Sequence, residues 1–211
     1  MFENQSIYDE KYRQAIRNDQ ECWGGNERYT CRLKQIQDIL KSGIIPAQGK
    51  VLEAGCGEGH LCQEFHKKGY DVTGIDFSKA AIDWAKNKNL IHKPDINYIH
   101  EDLSKPDLNL NDIFDLIIDG NCLHCIIGTR RQYFLENLYH HLSQSGVLYI
   151  SSLISNDHDN HTTEIEGIPY RFIPHPDYLK AELENSGFIL IKQVLHERDE
   201  YNHINMYLHK I

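Results

Sequence analysis

The sequence predicts an α/β domain with a doubly wound sheet of seven strands, mostly parallel, with an antiparallel last strand and helices on both faces. Two observations predict this class. Short apolar runs alternate with amphipathic stretches along most of the chain, which is the pattern of βα units with right-handed crossovers. The last two apolar runs follow one another without a helix between them, and strands connected in this way pair antiparallel.

The first two βα units are the most clearly marked. An apolar run over residues 51–54 enters a group of glycines, and Leu61 and Phe65 then lie four residues apart, as on one face of a helix. A second strand is expected over 70–75, followed by a helix that Ser78 can cap. This order predicts strand, turn, helix, strand and helix.

The remaining strands are shorter apolar runs. They are expected at residues 96–99, 114–118, 147–150, 188–191 and 203–209. Pro176 suits the first turn of a late helix, and Gly187 suits the position just after its end. Because residues 203–209 alternate polar and apolar side chains with a period of two, they predict the final, antiparallel strand.

The first 46 residues do not follow the sheet pattern. We expect them to form a helical cap over one end of the sheet, with the α/β core at 47–211. An apolar stripe at helical spacing is formed by Leu33, Ile36, Ile39 and Leu40. Residues 8–16 fit a second helix. Since no repeat or flexible linker divides the chain, cap and core are expected to form a single domain, 1–211.

Composition disfavours several kinds of partner. The chain has 22 Lys and Arg against 31 Asp and Glu, a formal net charge of −9, which disfavours binding to a nucleic-acid backbone. No apolar stretch approaches the ~20 residues that span a bilayer, and residues 1–5 do not resemble a signal peptide. We therefore expect a cytoplasmic protein without a membrane partner, and the six cysteines to be free thiols.

The sharpest motif lies where the first strand ends. Gly55 and Gly57 lack the Cβ that would block the close approach of a ligand, and the following helix offers free N–H groups. A dinucleotide site would use G-x-G-x-x-G, whereas the spacing here is G-x-G-x-G. Glu53, just before these glycines, would repel a diphosphate and favour a cationic group.

Acidic residues also follow the next two strands. Asp76 stands 21 positions after Gly55, where a carboxylate can accept hydrogen bonds from both ribose hydroxyls. Glu101 and Asp102 follow the third strand, where a carboxylate can meet an adenine amino group. Because ligands of such sheets bind outside the carboxyl ends of the strands, these acids predict a nucleoside site there.

With these motifs the sequence resembles the class I S-adenosylmethionine-dependent methyltransferases over nearly the whole chain. The resemblance implies a Rossmann-like fold, with S-adenosylmethionine as cofactor and Phe77 against its adenine. The end of the fourth strand is similar to the family segment that faces the methionine part. The cofactor contacts implied in this way are Glu53, Gly55, Cys56, Gly57, Asp76, Phe77, Glu101, Asp102, Leu103, Asp119 and Gly120.

Within that family the chain is most similar to the small-molecule branch, such as the thiopurine, tellurite-resistance and ubiquinone-biosynthesis types. Residues 119–122 read Asp-Gly-Asn-Cys where amino-methylating DNA enzymes have Asn/Asp-Pro-Pro-Tyr. This implies in-line transfer of a methyl group to a small-molecule acceptor. Two alternatives remain open: a nicotinamide-dependent oxidoreductase, and a non-enzymatic cofactor-binding regulatory domain.

Candidates for the acceptor side are less sharply marked. His124 lies just beyond the fourth strand and could act as a general base, although a packed histidine is the alternative. Trp23 and Tyr29 could close over the methionine end of the cofactor or over the acceptor, or they could form a core aromatic cluster under the cap. The set of substrate-binding candidates is Trp23, Tyr29, Asn121, His124, Tyr170 and Arg171.

Two further motifs could hold a metal, but we expect none. Cys122 and Cys125 form a C-x-x-C pair without a thioredoxin context or a second ligand pair. The segment 158–161 reads His-Asp-Asn-His within a long polar stretch after the fifth strand. We interpret that stretch as a loop that forms a lid on the substrate side.

Overall fold

The computed structural model describes residues 4–92, 94–157, 159–198 and 200–211. By the density of its contacts the chain divides into two compact units, Met1–Asp102 and Leu103–Ile211. The sequence predicted one domain made of a cap at 1–46 and a core at 47–211, and that organisation stays a prediction. No described helix is long and apolar enough to cross a membrane.

The first unit contains four helices and three strands. In chain order they are α1 (Gln5–Arg17), α2 (Gly25–Leu40), β1 (Lys50–Ala54), α3 (His60–Lys67), β2 (Asp71–Asp76), α4 (Lys79–His92) and β3 (Ile96–His100). The strands pair in parallel in the order β3-β2-β1. All but the first residue of β1 and of β2 are buried, so each strand is buried on both faces rather than on alternate residues.

The second unit contains the remaining strands. In chain order its elements are β4 (Phe114–Gly120), a 3₁₀ helix (Leu123–Cys125), α5 (Arg130–His141), β5 (Leu142–Ile154), β6 (His161–Ile165), β7 (Ile168–Ile173), α6 (Pro176–Asn185), β8 (Phe188–His196) and β9 (Asn202–Lys210). The strand order is β4-β5-β9-β8, with β4 and β5 parallel and β9 antiparallel to both its neighbours. The predicted class, a mostly parallel seven-stranded sheet with an antiparallel last strand, is confirmed.

The interpretation of the stretch after the fifth strand as a loop is wrong for residues 161–173. They form the two-stranded hairpin β6-β7. Glu166 and Gly167 make its turn with φ of 53° and 77°, the left-handed values that two-residue hairpin turns require. His158 of the proposed metal cluster lies outside the described residues.

The two expected amino-terminal helices are confirmed as α1 and α2. Within the first unit α1 packs against α4 and α2 against α3. The buried residues of α1 are Tyr8, Tyr12 and Ala15, at the spacing of one helical face. Through Tyr12, this face of α1 contacts the segment that links β1 to α3.

Candidate functional site

The glycine loop, residues 55–59, has a backbone that only glycine fits well. Gly57 has φ of 56°, and a Cβ there would lie 2.8 Å from the Tyr12 hydroxyl oxygen. Gly59 has φ of 77°, and its Cβ would lie 2.0 Å from the Tyr98 hydroxyl oxygen. Both positions therefore exclude larger residues through backbone strain and through contact with a neighbouring tyrosine.

Asp76 holds the glycine loop against the end of β2. Its Oδ2 accepts a hydrogen bond from the Gly57 N–H at 2.9 Å, and its Oδ1 accepts one from the Ser78 N–H at 2.8 Å. Burial raises the pKa of Asp76 to about 6, against the lowering effect of these two N–H groups. Because each carboxylate oxygen can accept more than one hydrogen bond, Asp76 can also receive a pair of hydroxyls.

Glu53 is fully buried beneath the loop. Its Oε2 accepts hydrogen bonds from the Cys62 backbone N–H at 3.0 Å and from the Cys62 thiol at 2.9 Å. Its Oε1 has no hydrogen-bond partner among the described residues. Burial raises the pKa of Glu53 to about 7, partly offset by the charge of Arg32. A buried acceptor without a partner is costly, so it indicates a place for a donor or a cation.

Three backbone N–H groups of the loop already have partners. Cys56 donates to the Ile75 carbonyl at 2.9 Å, and Gly59 donates to the Cys56 carbonyl at 3.0 Å. Gly57 donates to the Asp76 carboxylate. A pyrophosphate needs such N–H groups free and is repelled by adjacent carboxylates. The loop therefore disfavours the nicotinamide dinucleotide of the first alternative.

The acidic residues after β2 and β3 lie side by side, as expected. The Glu101 N–H donates to the Asp76 carbonyl at 3.1 Å, so the two strand ends are joined directly. Glu101 Oε1 in turn accepts a hydrogen bond from the Asp102 N–H at 2.9 Å. Both side chains are half-buried. The first unit thus brings together Asp76 and Glu101 at one edge of its sheet.

Side chains of α1 contact this edge, and the sequence analysis did not identify them. Tyr12 covers Gly57, and Tyr8 packs edge-on against Phe77 with ring centroids 5.7 Å apart. Asp9 accepts hydrogen bonds from the Ser78 hydroxyl and, at 3.3 Å, from the Ala80 N–H, so α1 caps the start of α4. The helical periodicity predicted α1 but not the surface on which it lies.

Trp23 and Tyr29 lie in aromatic contacts within the cap. The Trp23 ring packs at 5.6 Å from that of Tyr12, and the Tyr29 ring lies 4.2 Å from that of His60. His60 is buried, which lowers its pKa to about 4. These contacts fit the core aromatic cluster that was left open as an alternative, and a role in substrate binding stays a prediction.

In the second unit, Asp119 is a structural cap. Its two carboxylate oxygens accept hydrogen bonds from the backbone N–H groups of Cys122 at 2.5 Å and Leu123 at 3.1 Å. Asp119 therefore sets the path of the chain after Gly120, where β4 ends. Leu103, expected to contact the cofactor, is a buried residue whose carbonyl accepts a hydrogen bond from Asn137.

His124 is only 3% exposed, and its Nδ1 accepts a long hydrogen bond, 3.5 Å, from the Leu153 N–H. In a neutral ring this arrangement leaves the proton on Nε2, so His124 can donate but has no second lone pair to accept with. The geometry therefore favours a donor or packing role over a general base.

Arg131, also missed by the sequence analysis, positions the segment that carries His124. It forms a bidentate ion pair with Glu182, with N–O distances of 2.7 and 2.6 Å. It also donates to the carbonyls of Leu123 and Ile126 and lies over the Phe172 ring at 4.8 Å. Arg131 thus joins the 3₁₀ helix to α6 and to the hairpin.

The hairpin carries two of the predicted substrate residues. Tyr170 is buried, and the Arg171 guanidinium lies over its ring at 4.8 Å. Among described residues, no group of three or more His, Cys, Asp or Glu side chains could hold a metal ion. Asn121 follows β4 in a left-handed conformation, with φ of 80°. It contacts His203, which sequence analysis did not single out.

A family model described as a methyltransferase domain, Methyltransf_25, matches residues 51–146. An "Uncharacterized methyltransferase" of Schizosaccharomyces pombe is 33% identical over 93 residues, which are 43% of this chain and 61% of that protein. A carboxy-S-adenosyl-L-methionine synthase of Campylobacter fetus is 23% identical over 157 residues, or 74% of this chain and 66% of that one. The chain therefore spans about three fifths of the first relative.

Solved structures share the fold. The 1,6-didemethyltoxoflavin-N1-methyltransferase of Burkholderia thailandensis, with bound 1,6-didemethyltoxoflavin and S-adenosylhomocysteine, has a TM-score of 0.77 at 18% identity, covering 99% of this chain and 87% of that chain. A glycopeptide N-methyltransferase complexed with S-adenosylhomocysteine has a TM-score of 0.68 at 18% identity, covering 84% and 89%. At such identities the likeness concerns the fold.

Proposed function

We propose that this chain is a class I S-adenosylmethionine-dependent methyltransferase, which binds S-adenosylmethionine and transfers the methyl group to a small molecule. One observation carries the proposal. Glu53 presents a fully buried oxygen without a partner among the described residues, beside a glycine loop whose Gly57 and Gly59 N–H groups are already bound. Such a site favours a cationic nucleoside over a diphosphate.

The residues of the first unit account for binding of the nucleoside. The Asp76 carboxylate accepts the two ribose hydroxyls in addition to its backbone donors. Glu53 stabilises the positively charged end of the ligand, and the loop provides room for close approach at Gly55 and Gly57. Further proposed contacts are Cys56, Phe77, Glu101, Asp102, Leu103, Asp119 and Gly120.

Methyl transfer needs alignment more than covalent machinery. When bound, S-adenosylmethionine supplies a methyl group that is already activated by its sulfonium sulfur. The acceptor's lone pair forms a bond to the methyl carbon as the carbon–sulfur bond breaks, and the electrons of that bond stay on sulfur. The acceptor's proton passes to water or to a side chain. The protein's contribution is to hold the two reactants in line and to exclude competing water.

We propose a small-molecule acceptor because the net charge of −9 disfavours nucleic acid. Two structural neighbours support this choice, since one is described with bound 1,6-didemethyltoxoflavin and the other is named a glycopeptide N-methyltransferase. Acceptor-side candidates are Trp23, Tyr29, Asn121, His124, Tyr170 and Arg171. A cytoplasmic location stays a prediction from the sequence.

Isothermal titration calorimetry tests the cofactor. We expect S-adenosylhomocysteine to bind and NADH not to bind. Asp76→Ala should weaken S-adenosylhomocysteine by at least about tenfold, since it removes charged hydrogen bonds. Lys79→Ala is a matched control, because Lys79 lies three residues from Asp76 and forms an exposed ion pair with Asp83. Tight NADH binding, or an unchanged affinity of Asp76→Ala, would overturn the proposal.

A further inference from the structure

A series of hydrogen-bonded polar side chains runs across the second unit from the end of β4 to β8, the strand at the edge of the sheet. We call it the Asn121 network: Asn121, Ser151, His203, Asn205 and His196. His203 Nε2 lies 2.5 Å from Asn121 Oδ1. The Ser151 hydroxyl lies 3.0 Å from Asn205 Oδ1, and Asn205 Nδ2 lies 3.1 Å from His196 Nε2. The β5-β9-β8 register places Ser151 opposite Asn205 and His196 opposite His203.

The amide oxygen of Asn121 faces His203 and Ser151. A carbonyl oxygen can only accept, so His203 Nε2 carries the hydrogen and donates it to Asn121 Oδ1. Ser151 lies 3.5 Å from the same oxygen. With Oδ1 held on this side, the Nδ2 hydrogens of Asn121 point away from His203. No described residue accepts a hydrogen bond from Asn121 Nδ2, and the residue is half-buried.

Asn121 also adopts an uncommon backbone conformation. Its φ of 80° is left-handed, a region that few residues other than Gly, Asn and Asp occupy. His203, which contacts the Asn121 amide, is only 9% exposed. A side chain that served packing alone would not need a buried polar partner for its oxygen. The uncommon backbone and the buried partner, together at a strand's carboxyl end, point to a ligand.

We propose that Asn121 binds the methyl acceptor through Nδ2 and that His203 is the positioning residue that orients it. The acceptor therefore carries a carbonyl oxygen or an unprotonated ring nitrogen next to the atom that is methylated. This inference rests on the proposed function and adds the chemical class of the substrate. A simple phenol, thiophenol or aniline lacks the group that Asn121 recognises.

Three matched pairs of compounds test this class. The pairs are salicylamide with phenol, 2-mercaptopyridine with thiophenol, and 2-aminopyridine with aniline, assayed by transfer of labelled methyl from S-adenosylmethionine. For the wild type we expect kcat/KM to favour the first member of at least one pair by about tenfold or more, as a site built to form a hydrogen bond rejects analogues that lack it.

Variants separate orientation from folding. Asn121→Asp keeps the shape and tolerates the left-handed backbone but cannot donate, so the preference should disappear. His203→Leu should reduce the preference to about threefold or less, and His203→Gln, which keeps a donor near Nε2, should restore it. His209→Gln is the control, since His209 lies on the same face of β9 and, among the described residues, its ring forms a hydrogen bond only with the Gly146 carbonyl. Calorimetry should give all four variants the wild-type affinity for S-adenosylhomocysteine within about twofold.

The contrary results distinguish a failure of this inference from a failure of the proposed function. A wild type that binds S-adenosylhomocysteine but shows no preference within any pair, or methylates none of the six compounds, overturns the inference and leaves the proposed function standing. The same holds if His203→Leu keeps the preference or if His203→Gln fails to restore it. A wild type that does not bind S-adenosylhomocysteine contradicts the proposed function itself.

Discussion

The two units differ in how far along the sequence the partners of their strand-end side chains lie. In the first unit, Asp76 binds the Gly57 N–H, 19 residues away, and Glu53 binds the Cys62 N–H, nine residues away. In the second unit, Asp119 likewise binds a nearby backbone N–H, that of Cys122, but Asn121 contacts the side chain of His203, 82 residues away. The carboxylate contacts follow from a strand end and the segment after it or beside it, whereas the Asn121 contact depends on how the later strands are ordered.

The largest effect is expected from removing Arg131. Arg131→Met leaves Glu182, whose side chain is 16% exposed, without its ion pair, and it frees two carbonyls. Breaking a buried pair in this way costs about 3–5 kcal/mol. Chemical denaturation should show this loss, and the double variant Arg131→Met/Glu182→Leu should recover at least half of it. A loss of about 0.5 kcal/mol or less would contradict the role given to Arg131.

In the first unit, Gly57→Ala should weaken S-adenosylhomocysteine binding and lower stability by about 2 kcal/mol. The added Cβ meets the Tyr12 hydroxyl and is strained at positive φ. Because part of the cost is the contact with the hydroxyl, adding Tyr12→Phe should recover part of the stability, measured by thermal unfolding. Gly128→Ala is the control for backbone strain alone, since nothing lies within 4 Å of a Cβ there. Equal losses for both glycine variants would remove the contact from the explanation.

Glu53→Gln should raise the stability of the protein at high pH and weaken its binding of the cofactor. Burial raises the folded-state pKa of Glu53 from 4.5 to about 7, so the ionised form destabilises the folded protein as pH rises through that window. The neutral variant should therefore be more stable than the wild type at pH 8, by up to about 3 kcal/mol, and equally stable below pH of about 4. It should bind S-adenosylmethionine more weakly. Denaturation at both pH values checks the sign, and a variant less stable at pH 8 would contradict it.

The smallest effect is expected at an exposed pair of the first unit. Lys79 and Asp83 form an i,i+4 ion pair on the surface of α4. Asp83→Asn should change stability by at most about 0.5 kcal/mol, and less at high salt. A larger loss of stability in thermal unfolding would mean that surface charges away from the site also stabilise the first unit.

Most of the candidate site in the first unit could be predicted from the sequence, because the motifs that mark it are short and local. Glu53, Gly57 and Asp76 stand at strand ends that apolar runs mark, and strand ends of a parallel sheet converge. Tyr12 was missed because periodicity predicts a helix but not the surface it covers. The role of each cofactor contact stays a prediction.

The second unit was predicted less completely. The period of two predicted that β9 is a strand. The contact of Asn121 with His203 could not be predicted in the same way, because it depends on the register of β9 against β5. The hairpin was missed because Glu166 and Gly167 do not form one of the usual Asn-Gly or Asp-Gly turns. Arg131 was missed because its partner, Glu182, lies 51 residues away.

The most direct test is the pH dependence of S-adenosylhomocysteine affinity, measured by calorimetry from pH 5 to pH 8. In the proposed binding mode both carboxylates are ionised, and burial raises their pKa values to about 7 for Glu53 and about 6 for Asp76. Wild-type affinity should therefore fall below pH of about 7, and more steeply below about 6. Glu53→Gln should keep only the lower step, and Asp76→Asn only the upper one. An affinity that stays constant from pH 5 to pH 8 in the wild type would contradict the account.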